Sequence, residues 1–124
     1  MTKEKTSDMK TILVAEDDDS NYLLMTYILR KDYRVVRART GAEAVEMAES
    51  GNADLVLMDI KMPVMDGLEA TGKIKSVRPG LPVVALTANA FESDREQALA
   101  AGCDDFLQKP VNAAQCLSLI AKYV

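Results

Sequence analysis

Residues 11–22, TILVAEDDDSNY, change character within a single step. Thr11 to Ala15 form an unbroken β-prone run, and Glu16, Asp17, Asp18 and Asp19 follow it directly. An apolar run without alternation suits a strand covered on both faces, as in a parallel sheet. Like charges about 4 Å apart repel by roughly 4 kcal/mol at an effective dielectric of 20, so carboxylates side by side at such a strand end need an offsetting partner. Water, a helix start or a cation could serve. Asp18 and Asp19 suit the first turn of a helix, where an acid gains about 0.3–1 kcal/mol from the macrodipole. Glu16 and Asp17 belong to the strand end and point to a cation, with Asp17 as a ligand and Glu16 acting through water.

The same switch from apolar run to amphipathic stretch recurs along the chain. Runs at Thr11–Ala15, Tyr33–Ala38, Asp54–Met58, Pro82–Leu86 and Asp104–Leu107 predict five β-then-α units. After Thr11 and Asp54 at their starts, the first and third runs are apolar, as is the fourth, whereas the second carries Arg34 and Arg37 and reads as an edge. Helix boundaries agree: Thr40 caps GAEAVEMAES before Gly51, and Asp66 caps GLEATGKIKSV before Pro79 and Gly80. Gly102 closes the fourth helix, and Asn112 starts the last. An α/β domain with a doubly wound parallel sheet and helices on both faces follows. It takes in residues 10–124 after a polar segment at 1–9, with no linker or second domain expected.

Composition narrows the chemistry. A chain of 124 residues that is 48% hydrophobic fits one domain with a real core. A net charge of -4 with scattered Lys and Arg argues against direct nucleic-acid binding. No apolar run approaches the ~20 residues that cross a bilayer, and the amino terminus lacks a signal-peptide core. No direct membrane contact and a cytoplasmic location are expected. Cys103 and Cys116 have neither Cys-x-x-Cys spacing nor a disulfide framework. Histidine is absent, which removes His-ligated zinc, Ser-His and Cys-His nucleophile pairs, and any phosphohistidine on this chain.

In an open parallel sheet, ligands bind beyond the carboxyl ends of the strands, where the winding order reverses. Strand one delivers Glu16 and Asp17 there, strand three Asp59 in LVLMDIKMPVMDG, strand four Thr87 in VVALTANA, and strand five Lys109 in DFLQKP. Singly, Asp59 could cap a loop, Thr87 could be an ordinary strand residue and Lys109 an ordinary surface lysine. Their recurrence at equivalent strand ends is what argues for a site. Oxygen ligands without His or Cys suit Mg²⁺, which takes one or two carboxylates plus phosphate oxygens. Thr87 and Lys109 suit an anion beside it.

The segments ILVAEDD, LVLMDIKMPVMDG, VVALTANA and DDFLQKP resemble the receiver domains of two-component response regulators over essentially the whole chain. Glu16-Asp17 with the downstream Asn21, LTANA and AGCDDFLQKP are most similar to receivers of hybrid sensor histidine kinases, which implies a phosphorelay. The resemblance implies a flavodoxin-like (βα)5 fold with strand order 2-1-3-4-5. It also implies that Asp59 is phosphorylated from a phosphohistidine on a partner, either a sensor histidine kinase or a histidine-phosphotransfer domain. By the same resemblance, Asp17, Asp59 and the backbone carbonyl of Lys61 hold Mg²⁺, for which Mn²⁺ could substitute, with Glu16 acting through water. Lys109 and Thr87 stabilise the phosphoryl group, Thr87 and Phe106 form the switch, and Lys61 and Asn89 tune dephosphorylation. Phe106 stands where many members carry tyrosine. The Lys109–Pro110 peptide is expected to be cis. Such a chain is a signalling switch that assists its own phosphorylation and slow dephosphorylation, and is no enzyme with a separate turnover substrate. It would change its α4-β5-α5 surface and could form a phosphorylation-dependent dimer.

Two rivals share parts of this pattern. A Mg²⁺-dependent phosphohydrolase with an aspartyl nucleophile commonly carries Asp-x-Asp after its first strand, whereas here Lys61 stands two positions after an Asp59 on the third. An interaction module that has lost phosphorylation would lack a member of the set, and none is missing. Nucleotide-binding glycine loops are absent.

Overall fold

A computed structural model describes residues 9–51, 53–62, 65–88 and 92–124. Within them the chain alternates β1 (Thr11–Ala15), α1 (Asp19–Leu29), β2 (Arg34–Ala38), α2 (Gly41–Glu49), β3 (Leu55–Asp59), α3 (Gly67–Val77), β4 (Val83–Thr87), α4 (Glu92–Ala101), β5 (Asp105–Gln108) and α5 (Ala113–Tyr123). The strands form one sheet in the order β2-β1-β3-β4-β5, every neighbouring pair parallel. The expected flavodoxin-like fold is therefore the observed one. Of the polar segment at 1–9, only Met9 falls within the described residues.

Because parallel crossovers are right-handed, reversing direction after β2 forces helices onto opposite faces. Period-2 alternation along the strands then splits the core in two. Ile12, Val14, Leu55, Leu57, Val84 and Leu86 face α1 and α5, meeting Met25, Leu29, Cys116 and Ile120. Leu13, Ala15, Val56, Met58, Val83 and Ala85 face α2, α3 and α4, meeting Ala44, Ala48, Ala70, Ile74 and Ala98. Residues of β3 and β4 are buried throughout, while β2 is only partly covered, as its arginines foretold.

Four N-caps act through side-chain oxygens, each accepting from a backbone N–H three residues on: Asp18 from Asn21, Thr40 from Glu43, Asp66 from Glu69, and Asn112 from Gln115. Asp18 is thus the cap of α1, and Asp19 is its first helical residue. Gly51 and Gly102, at φ of +83° and +110°, turn the chain out of α2 and α4 in a backbone region that favours glycine.

Four of the five strands sit one residue later, or start one residue later, than their apolar runs suggest. Asp54 and Asp104 explain two of these shifts. Each uses its backbone N–H on the carbonyl of a neighbouring strand's first residue, Thr11 or Val83, at 2.8 Å. Each carboxylate also accepts that same residue's N–H, at 2.8 Å in both cases. These aspartates cap strand starts and do not begin strands. At the other end, Asp59 and Thr87 remain in the ladder, opposite Leu86 and Gln108. Among the described residues no helix is long and apolar enough to cross a membrane. Both cysteines are free and buried, and burial pushes both thiols up, that of Cys116 to about 11.

Candidate functional site

The carboxyl ends of β1, β3, β4 and β5 meet at the point where the winding reverses. Backbone bonds carry the ladder one residue past the strands: Glu16 N–H donates to Ala38 O at 3.0 Å, and Lys109 N–H to Thr87 O at 2.7 Å. Glu16 and Lys109 are consequently held with nearly strand-like precision, although each lies just outside a strand. Lys109 Nζ stands between two carboxylates, 3.0 Å from Glu16 Oε1 and 3.3 Å from Asp59 Oδ2. Asp59 Oδ1 accepts the backbone N–H of Lys61 at 3.1 Å.

Burial makes this cluster electrostatically strained. The side chains of Glu16 and Asp59 are 1% and 7% exposed, while Asp17 is exposed beside them. Loss of water, and then the neighbouring Asp59 carboxylate, push the Glu16 pKa up to about 7 against the pull of Lys109. The Lys109 ammonium is shifted upward, since its two carboxylate partners outweigh the desolvation that opposes them. Among the described residues one ammonium pairs with both buried carboxylates, and the exposed Asp17 adds a further negative charge beside them. Glu16 Oε1 sits at ion-pair distance from Lys109 yet has no aligned hydrogen-bond donor. Oxygens of Glu16, Asp17 and Asp59 all lie within 4.8 Å of one another. That set, oxygen-only and short of positive charge, suits a hard divalent cation.

The sequence model of the response regulator receiver domain matches residues 12–121. The chain belongs to that family.

Relatives and solved structures agree. A Brucella ovis protein, the polar-differentiation response regulator DivK, is 32% identical over 93% of this chain and 96% of its own length. Two-component system protein A of Emericella nidulans is 38% identical over 92% of this chain, which spans only 17% of that protein. The receiver domain of sensor histidine kinase PA1611 from Pseudomonas aeruginosa, solved with a magnesium ion coordinated in its active-site cleft, superposes with a TM-score of 0.86. It is 37% identical, with 93% of this chain and 97% of that one covered. Saccharomyces cerevisiae Ssk1, whose receiver domain was solved with the histidine phosphotransfer protein Ypd1, gives a TM-score of 0.87 at 30% identity. That comparison covers 93% of this chain and 88% of the other. The protein is a receiver domain of two-component or phosphorelay signalling, and such domains act as signalling switches.

Thr87 is buried at the last position of β4. Phe106 is half-buried on β5, opposite Ala85, and packs against the α2-α3-α4 side of the core. The Lys61 side chain is exposed. The Lys109–Pro110 peptide is cis. Asn89 lies outside the described residues.

Three features of this receiver were not legible as site residues. Gly67 lies so close to the end of β3 that a Cβ would collide with the Asp59 carbonyl oxygen and come within 2.6 Å of Ile60 Cα. Arg95 of α4 lies over the Phe106 ring, its Cζ 5.0 Å from the centroid. Arg37, read from sequence only as a mark of an edge strand, reaches the acid run. The first left no signal in the local pattern, since its cause, the approach to the backbone of Asp59 and Ile60, exists only in the folded chain. The two arginines left none either, because their partners are distant in sequence.

Proposed function

We propose that this receiver accepts a phosphoryl group on Asp59 from a phosphohistidine of a partner protein. The observation that carries the reading is the setting of the Asp59 carboxylate: it ends β3, lies 3.3 Å from the Lys109 ammonium, and adjoins the Glu16 and Asp17 carboxylates. In the transfer, an Asp59 carboxylate oxygen bonds to phosphorus as the phosphorus–nitrogen bond to imidazole breaks. The freed imidazole keeps the electron pair. No side chain here needs to supply a proton to the new acyl phosphate, so positioning and charge neutralisation supply the catalysis.

Asp17, Asp59 and the Lys61 carbonyl would hold Mg²⁺, with Glu16 behind them, and the same oxygen set would accept Mn²⁺. When bound, the cation supplies charge neutralisation at the phosphoryl oxygens. Lys109 answers the remaining charge from the β5 side. In the free protein its ammonium pairs with Asp59 and Glu16, so it is already aimed at the reacting carboxylate. Thr87, at the neighbouring strand end, would turn its hydroxyl toward the new phosphoryl group, and Phe106 would follow into the vacated space. A phosphoryl group brings about -1.5 to -2 charge and three acceptor oxygens, enough to bias two packings of the β4-α4-β5 region. Lys61 and Asn89, two positions after Asp59 and Thr87, would set how long the acyl phosphate lasts. The donor is a histidine-phosphotransfer domain or sensor kinase, a reading supported by the Ypd1–Ssk1 complex among the structural relatives.

Intact mass after incubation with acetyl phosphate and Mg²⁺ tests this. One added phosphoryl group on wild type, absent from Asp59→Ala and from a control in EDTA, supports the reading. An adduct that survives Asp59→Ala would overturn it, as would failure of folded wild type to bind beryllofluoride.

A further inference from the structure

Arg37 occupies a position that an edge strand does not require to be charged. It pairs with Val14 in the β1–β2 ladder, and its side chain is only 13% exposed. Nε and Nη2 both donate to the carbonyl of Glu16, at 3.1 and 3.0 Å. Nη1 lies 2.9 Å from Asp19 Oδ1, and the guanidinium covers the Tyr22 ring with Cζ 4.5 Å from its centroid. One planar group therefore grips the acid run at both ends, residues 16 and 19, and is itself fixed by an aromatic face on α1. Asp17 lies inside that grip.

We propose that Arg37 is a positioning residue for Asp17. By clamping the Glu16 carbonyl and the Asp19 carboxylate, it fixes the turn between β1 and α1 and keeps the exposed Asp17 carboxylate beside those of Glu16 and Asp59. Without the clamp, repulsion from those two carboxylates drives Asp17 outward, because among the described residues no basic side chain pairs with it before a cation arrives. The inference rests on the receiver reading above. Charge alone argues the reverse: a guanidinium close to a cation site repels the cation, so its loss should tighten binding. The sign of the effect separates the two.

Calorimetric Mg²⁺ titration of wild type, Arg37→Gln, Arg37→Lys and Asp17→Asn decides between them. Each protein is held well below its own melting temperature in EDTA. Wild type should bind Mg²⁺ and Asp17→Asn should not. Both Arg37 variants should bind about tenfold more weakly, the loss typical when a partner that orients a metal ligand is removed. Lysine is the telling variant, since it keeps the charge and lacks the planar two-pronged fork. Affinity that is unchanged in Arg37→Lys, or tighter in Arg37→Gln, would overturn the proposal, including the case where only the melting temperature falls. If wild type itself bound no Mg²⁺, the cation reading would fail and this inference with it. Wild-type binding beside unaltered Arg37 variants would sink this inference alone.

Discussion

Replacing Glu16 with glutamine should change how the stability of the cation-free receiver depends on pH. Burial and the adjacent Asp59 carboxylate raise the Glu16 pKa from its ordinary 4.5 to about 7, with Lys109 pulling the other way. Between those values the folded protein keeps a proton that the unfolded chain has lost. This contribution to stability is fully present below the unfolded value of 4.5 and disappears as the folded group ionises near 7. At about 1.4 kcal/mol for each tenfold change in proton affinity, the whole swing is about 3 kcal/mol. Glutamine carries no titrating proton, so other groups cancel to first order in the comparison. Urea denaturation in EDTA should show the Glu16→Gln variant gaining about 3 kcal/mol on wild type between roughly pH 4.5 and pH 8. Saturating Mg²⁺ should shrink the gain, because a cation favours the ionised carboxylate. A difference that stays flat across this range, or that moves in favour of wild type, would refute the claim that the fold holds Glu16 against its charge.

Lys109→Met removes the ammonium that pulls the Glu16 pKa down, so Glu16 keeps its proton near neutral pH while the buried Asp59 carboxylate loses its ammonium partner, at a cost of about 3 kcal/mol in EDTA; urea curves with and without Mg²⁺ should show the gap narrowing when the cation is present. Gly67→Ala forces a Cβ against the backbone of Asp59 and Ile60, so it should cost about 1–3 kcal/mol and weaken Mg²⁺ binding by calorimetry. Gly72→Ala on the same helix meets nothing within 4 Å and should instead stabilise by about 0.5–1 kcal/mol. Asp104→Ala removes the acceptor of Val83 N–H at 2.8 Å and of Lys75 Nζ at 2.7 Å. It should lose about 2 kcal/mol in thermal denaturation while phosphoryl incorporation below the melting temperature stays unchanged.

Much of the architecture was legible because its physics is local. A strand covered on both faces must be apolar, so Thr11–Ala15 and the runs around Leu57 and Ala85 declared themselves, and arginines at 34 and 37 marked the partly covered edge. Caps were equally readable, since an oxygen at Thr40, Asp66 or Asn112 serves N–H groups only a turn away. Strand ends were read less well. Asp54 and Asp104 looked like strand starts, but their carboxylates serve strands 43 and 21 residues away in sequence, which no local pattern can encode.

The candidate site divides along the same line. The residue types at the ends of the apolar runs, acids at 16, 17 and 59, a hydroxyl at 87 and an ammonium at 109, were determined by sequence alone, because a parallel sheet brings equivalent strand ends together whatever their separation. What tertiary structure decided was how those charges are shared. Lys109 lies between two carboxylates, Glu16 is buried deeply enough to resist ionisation, Gly67 leaves room for the Asp59 carbonyl, and Arg37 reaches across from the edge strand to grip both ends of the acid run. Each depends on distance and desolvation between residues far apart in the chain, and those quantities exist only once the chain has folded.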